Sequence, residues 1–460
     1  MDTSHQCIYN LPKHLKYGSQ YRPNEIFWGI GVEHETYLES HQRKTAFLCE
    51  ISEKRKPERY SVNYYSAYKL PDLDQAFADL SSTLVELPIL INSHSFTHCD
   101  ISGEHRTTYS KQPRPNPKFT GKTLHEFLSD HDPYFKTAYE DQFIFDGDSI
   151  EFVNLNFYNA RIPDVLDELC AHEDEFVNRL NAVLQQHTTH LTPHLPLDLA
   201  HKNYPFAIHL TNLANYSMFN NGTLHINITL PSQLDGSGNI ANMEQFIEDH
   251  RNYIRILQWL EPLWVAVYGA GDIFSATNPQ RFSAGSQRLA VSRYIAMGTY
   301  DARTMPLGKI LLLKRSDLSG AEWYDEFYAT SAYNGLEHVG LDINFNKHFS
   351  HGVELRFLDA VATHELQRIM NETVYCADFA YIWKDQIQDI HDHKEWQSVA
   401  LNCLKYGKNA IISAEIVELY RNVLHMDIPE GEYYADELYE EITTRLRADY
   451  SNGPCSKRMI

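Results

Sequence analysis

Three short segments of the 460-residue chain set polar, metal-competent side chains two residues apart: Glu33-His34-Glu35, His225-Ile226-Asn227 and Glu354-Leu355-Arg356. In an extended strand, residues i and i+2 point to the same face. The first segment therefore pairs two carboxylates, the second an imidazole with an amide, and the third a carboxylate with a guanidinium. A fourth segment, Asp146-Gly147-Asp148-Ser149-Ile150-Glu151, is an acidic turn feeding a strand. Adjacent carboxylates repel unless a cation lies between them. Hard divalent ions such as Mg2+ or Mn2+ take carboxylate oxygen, usually with phosphate oxygens completing the shell. A single Glu-x-Glu is more often a solvated strand face. Three strands with the same device, interleaved with apolar residues that must face a core, point instead to an acidic, metal-loading pocket containing one arginine.

The elements that must position these groups are legible from periodicity. Ile26 to Leu38 reads as a strand rich in aromatic and β-branched residues, and Leu84 to Ile91 as another. Gln142 to Phe152 alternates and is interrupted by the Asp-Gly-Asp turn. Val165 to His187 has the apolar spacing of an amphipathic helix. Leu224 to Leu230 alternates as a strand, and a long helix follows from Met243 to Tyr268, with a kink expected at Pro262. Val339 to Phe345 and Gly352 to Leu358 read as two strands joined by a polar turn. His364 to Tyr450 is mostly helical by pattern, with a break at Pro429-Glu430-Gly431.

In their order along the chain these segments resemble the glutamine-synthetase-like carboxylate–amine ligases, in particular the glutamate–cysteine ligase and amidoligase branch. Gly31-Val32-Glu33-His34-Glu35 resembles the opening Gly-Ile/Val-Glu-x-Glu strand of that family. Asp146 to Val153 resembles its Asp-Gly-Ser…Glu-Ile-Val segment, and Gly222 to Asn227 its Gly-x-His-x-His/Asn strand. Leu260-Glu261-Pro262-Leu263 resembles the start of the helix segment that follows, and Gln287-Arg288 to Arg293 a short arginine-containing stretch. Gly352 to Arg356 resembles the closing Glu-x-Arg strand. The resemblance runs discontinuously over about residues 25–380.

That resemblance implies an α+β fold: a strongly curved, mostly antiparallel sheet with ATP and divalent ions on its concave face, helices on the other side, and a C-terminal helical annex. It implies a catalytic domain over residues 1–380, with an insertion at about 40–140, and a helical region over 381–460. It also implies a reaction. ATP phosphorylates a carboxylate to an acyl phosphate, and an amine displaces the phosphate to form an amide. Phosphorylation replaces oxide, a poor leaving group, by a good one. By position, Glu33, Glu35, Glu151, His225 and Glu354 would be metal ligands for Mg2+ or Mn2+. Arg356 and Glu35 would be catalytic, Arg356 acting on the transferring phosphoryl group or the acyl-phosphate oxygens. Asn227, Arg288, Arg293, Asp146 and Asp148 would contact nucleotide or substrate. About 110 residues separate the opening Glu pair from Asp-Gly-Asp, more than the family usually shows. Asp79 with Glu86 is therefore a rival for Asp146 with Glu151, which is preferred because a helix follows it. Asp148 also stands where Ser is commoner.

Composition narrows the partners. The net charge is −21, from 61 acidic and 40 basic residues, which suits neither sequence-independent nucleic-acid binding nor an anionic membrane surface. No run approaches the roughly 20 apolar residues of a spanning helix. The N-terminal residues have no apolar signal-type stretch, and seven scattered cysteines argue for a reducing compartment, so a cytoplasmic location is expected. The expected partner is an amino acid or peptide substrate, with a protein acceptor also open. His187, His190, His194, His201 and His209 form a loose His-rich stretch broken by Pro193 and Pro196, a poor metal frame. Gly269-Ala270-Gly271 follows a helix rather than a strand and reads as a cap, not a phosphate loop. No Gly-x-Ser-x-Gly occurs. The rival functions are a phosphotransferase or amide hydrolase on the same fold, or a nucleotide- or partner-binding protein without turnover.

Overall fold

The computed structural model describes residues 24–40, 91, 123–146, 149–188, 195–200, 222–271, 283–286, 289, 343–345 and 352–460. Asp79, Glu86, Asp148, Arg288, Arg293, most of the 40–140 stretch and the histidines His190, His194, His201 and His209 lie outside them.

The first eight described strands are β1 (Ile26–Thr36), β2 (Leu38–Ser40), β3 (Phe143–Asp146), β4 (Ser149–Val153), β5 (Leu197–Leu199), β6 (Thr223–Gln233), β7 (Ile343–Phe345) and β8 (Val353–Asp359). Six of them form one sheet in the order β3-β4-β1-β6-β8-β7, and each neighbouring pair is antiparallel. Strands and helices together make the chain α+β. The sheet is not strongly curled, unlike the strong curvature the resemblance implies. Its irregularities are two local register shifts, and a bulge bends a sheet only where it sits. The single strand expected over Ile26 to Leu38 is divided at Tyr37. β2 leaves the main sheet there to pair with β5.

The helices that matter for the sheet are α3 (Ile162–His187) and α4 (Met243–Tyr268), preceded by the short α1 (Leu124–His131) and α2 (Tyr134–Thr137). α3 starts three residues earlier than its apolar spacing suggests, with Pro163 in its first turn, where the missing N–H is not needed. Residues of β1 and β6 whose parity is even face these helices: Ile30, Val32, Leu224, Ile226 and Ile228 are all buried in the core. His34 lies on this face too, and its Nδ1 is 2.5 Å from Glu173 of α3.

α4 runs through Pro262. Proline has no N–H, so the carbonyl of Gln258 loses its helical partner. The indole of Trp396 donates to that oxygen at 2.8 Å, and the Tyr420 hydroxyl donates to the next carbonyl, Trp259, at 2.8 Å. Both donors come from the C-terminal part of the chain, from α6 (Lys394–Tyr406) and α7 (Ala414–Leu424), which follow α5 (Thr363–Trp383). Between α6 and α7 lies β9 (Ile411–Ile412), which pairs with β10 (Tyr433–Tyr434). α8 (Ala435–Tyr450) and α9 (Ser456–Met459) complete the chain. The break at Pro429 to Gly431 falls between α7 and α8, as its turn residues require.

Two buried polar groups hold this framework without taking part in the polar face. β6 carries one residue more than β1 between Thr229 and Ser232, and Pro231 sits in that excess. There the Leu230 N–H donates to His250 Nε2 at 3.0 Å, while His250 Nδ1 is 2.7 Å from the Phe246 carbonyl. Burial pushes His250 down to about 4. Gly352, with φ +67°, passes so close that a Cβ would lie 2.3 Å from the Ile228 oxygen. In α5, Glu372 accepts from Trp264 Nε1 (3.0 Å), the Tyr439 hydroxyl (2.6 Å) and Arg368 Nε (2.9 Å).

Candidate functional site

Strand register brings the separated segments together on the face opposite α3. Glu33 lies directly across from His225, Glu35 from Glu151, and Asn227 from Glu354. Directly opposed residues share a face. Glu33, Glu35, Glu151, His225, Asn227 and Glu354 therefore line one side of four adjacent strands. All but Glu33 are buried, and Glu33 is partly so. Arg356 shares this face by parity, two residues after Glu354, to which it donates. Ile226 faces Leu355 and Leu224 faces Leu358, so β8 has one extra residue opposite His225.

The contacts are close. His225 Nδ1 lies 2.9 Å from Glu33 Oε2 and 3.9 Å from Glu354 Oε1. Arg356 Nη1 donates to Glu354 Oε1 at 2.6 Å and stands 3.4 Å from His225 Nδ1. The Asn227 amide donates to Glu33 Oε1 at 3.3 Å. On the other side of the ring, His225 Nε2 is 2.9 Å from the Thr223 hydroxyl and 3.5 Å from Glu35 Oε1. Ligand atoms of Glu33, His225 and Glu354 all lie within 4.8 Å of one another. Burial, and after it the Arg356 guanidinium, push His225 below the ordinary imidazole range, against the pull of Glu33 and Glu354.

A neutral imidazole and two carboxylates are a donor set for a divalent cation. Oxygen dominance favours a hard ion, and one nitrogen is compatible with Mn2+ or Mg2+. Glu33, Glu35 and Glu354 each bring a carboxylate oxygen within 3.9 Å of the His225 ring, and Arg356 donates to Glu354.

Local sequence explains why β1 can run beneath this cluster. Gly29 and Gly31 lie on the same face as Glu33, and the Phe157 ring fills the space their missing side chains leave. A Cβ on Gly31 would come within 2.8 Å of that ring. Asn154 takes over from the interrupted β4 ladder, its Oδ1 accepting from the Val32 N–H at 2.8 Å and its amide donating to Val165 O at 2.9 Å.

Not every expected residue is placed. Asp146 ends β3, opposite Ser149, and its side chain is outside the description, as are Asp148, Arg288 and Arg293 altogether. Two residues of the cluster carried no signal in the motif reading. Thr223 lies two positions before His225, where strand periodicity alone places it on the same face. Asn344 donates to Glu354 Oε2 at 2.7 Å from β7. Its apolar–polar–apolar setting, Ile343-Asn344-Phe345, marks an inward polar residue, but only register pairs it with Glu354. Gly269 caps α4, as its position after a helix suggested.

Fold and site together define an α+β protein whose antiparallel sheet carries a buried carboxylate–imidazole–guanidinium cluster on the face away from α3. No family model matches the chain. It is 34% identical over 454 residues to the uncharacterized protein R704 of Acanthamoeba polyphaga mimivirus, an alignment that covers 96% of this chain and 79% of that protein. The chain belongs to the same family as this mimivirus protein. Among the described residues no helix is long and apolar enough to cross a membrane.

Proposed function

We propose that the chain is an ATP- and divalent-cation-dependent carboxylate–amine ligase that forms an amide bond through an acyl phosphate, with an amino acid, a peptide or a protein as substrate. One observation carries this reading. Glu33, His225 and Glu354 come from parts of the chain up to about 320 residues apart, yet their ligand atoms lie within 4.8 Å of one another, beside Arg356.

Glu33, His225 and Glu354 would hold the cation, with Glu35 two residues along β1 and Glu151 across from it on β4. A bound divalent ion supplies neutralisation of the charge between a triphosphate and a carboxylate. Arg356 is a fixed planar donor held by Glu354, suited to steadying phosphoryl oxygens as their charge redistributes. Asn227 and Asn344 fix the rotamers of Glu33 and Glu354. ATP would lie on this polar face of the sheet, and a cytoplasmic setting fits a substrate of this kind.

The test is incubation of the purified chain with ATP, Mg2+ and pooled amino acids and peptides. The expected result is ADP, phosphate and a product whose mass is the sum of acid and amine less water. A phosphorylated acceptor would assign the site to phosphotransfer instead. ATP binding without turnover would make the chain a binding protein.

A further inference from the structure

We infer that Thr223 is a positioning residue: its hydroxyl fixes the ring proton of His225 on Nε2 and so presents the Nδ1 lone pair to the space between Glu33 and Glu354. The inference rests on reading Glu33, His225 and Glu354 as a cation centre, and it concerns how that centre is made ready.

The Thr223 hydroxyl donates to Glu35 Oε2 at 3.1 Å. An ionised carboxylate only accepts, and a hydroxyl has a single hydrogen to give. Toward His225 Nε2, 2.9 Å away, Thr223 can then only accept, so Nε2 must carry the ring proton. A neutral ring has one such proton, and Nδ1 is left with its lone pair. One neighbour of Nδ1 agrees: Arg356 Nη1, which can only donate, stands 3.4 Å from it. Glu33 Oε2 at 2.9 Å and Glu354 Oε1 at 3.9 Å are acceptors, so a lone pair on Nδ1 faces them only with a cation between. A lone pair and two carboxylate oxygens converging in this way have a common partner in a cation. Glu35 acts here at one remove: it orients Thr223, which orients His225. A ligand histidine whose second nitrogen is fixed by an outer partner is a recurrent device of metal sites.

The opposite tautomer is the competing arrangement. In it Nδ1–H donates to Glu33, and Thr223 turns its hydrogen to Nε2 and away from Glu35. The two differ in what loss of the hydroxyl does. With Thr223→Val the shape of the side chain is kept, and Nε2 loses the oxygen that accepts its proton.

The experiment is titration of the full-length chain with Mn2+, read by electron paramagnetic resonance of the free ion, for the wild type, Thr223→Val and Thr223→Ser. Circular dichroism and thermal melts of the metal-free proteins check that each is folded. Thr223→Val is expected to weaken Mn2+ binding about 10- to 100-fold, the range for outer partners of ligand histidines. Thr223→Ser, which restores the hydroxyl, is expected to bind close to wild type. In 15N-histidine spectra of the Mg2+-loaded wild type, the His225 signal, assigned by its absence in His225→Gln, should report the Nε2–H tautomer. The inference is overturned if the wild type fails to bind Mn2+, if Thr223→Val binds as tightly as wild type, if Thr223→Ser is as weak as Thr223→Val, or if the spectra show Nδ1–H. The assay contains neither ATP nor amine, so failure of the ligase reading would leave its result unchanged.

Discussion

Two histidines, His225 and His250, are both fully enclosed, and burial pushes both below the ordinary imidazole range. Their surroundings differ in kind. His250 is held by backbone at each nitrogen, the Leu230 N–H on one side and the Phe246 carbonyl on the other. It repairs a bulge and ties α4 to β6. His225 meets side chains: Glu33, Glu354 and Arg356 at one nitrogen, Thr223 and Glu35 at the other. The carboxylates divide the same way. Glu372 receives an indole, a hydroxyl and a guanidinium, whereas Glu33, Glu35 and Glu354 all lie within 3.9 Å of the one His225 ring. Burial therefore does not distinguish structure from function. The distinction lies in whether ligand atoms converge on one point, as those of Glu33, His225 and Glu354 do.

The comparison is broken most decisively at Glu354. Glu354→Gln keeps one acceptor oxygen, enough for Asn344 or Arg356 but not both, and removes a negative ligand. It should abolish Mn2+ binding in calorimetry with only a modest fall in the melting midpoint, because Arg356 loses an anionic partner while the crowding of carboxylates is relieved. A large fall in midpoint would place Glu354 with the structural group. Glu372→Ala should do the reverse, costing about 4 kcal/mol in denaturant unfolding with Mn2+ affinity unchanged. Trp264, Tyr439 and Arg368 would each lose an acceptor.

His250 sharpens the contrast through pH. Its folded value of about 4 lies below the unfolded 6.5. As pH falls below about 6.5 the unfolded chain takes up a proton that the folded ring refuses, so stability is lost down to about pH 4. The loss is about 3 kcal/mol from His250 alone. Denaturant midpoints measured across that range should fall with acid, and His225 contributes in the same direction. A flat profile would mean that His250 is not held neutral. The smallest effect is expected at Trp396. Trp396→Phe leaves the Gln258 carbonyl without its indole donor and should cost about 2 kcal/mol, with cation binding untouched.

Much of the site was legible because strand parity is a strict rule. Once Glu33, His225 and Glu354 are placed on strands, each partner two residues away shares its face, whatever the twist of the sheet. The interruption of the Gln142 to Phe152 run at Asp-Gly-Asp was equally plain, and register shows its two halves pairing as β3 and β4. Other features depend on register or tertiary contact. The departure of β2 at Tyr37, the extra residue in β8 at Arg356 and the pairing of Asn344 with Glu354 need strands to be aligned, which local pattern does not encode. The two-residue strands β9 and β10 are too short to show any period. Pro262 was visible as a helix irregularity. Its repair by Trp396 and Tyr420, more than 130 residues later, was not. The degree of curvature was inferred from the resemblance rather than from the residues, and there the sheet differs.

The most direct test of the central claim is a crystal structure of the full-length chain soaked with Mn2+ and a non-hydrolysable ATP analogue, with anomalous differences recorded at the manganese edge. A peak bounded by Glu33, His225 and Glu354, with nucleotide phosphate beside Arg356, is the predicted result. Manganese on unrelated surfaces, or an ordered cluster with no peak among those three side chains, would contradict it.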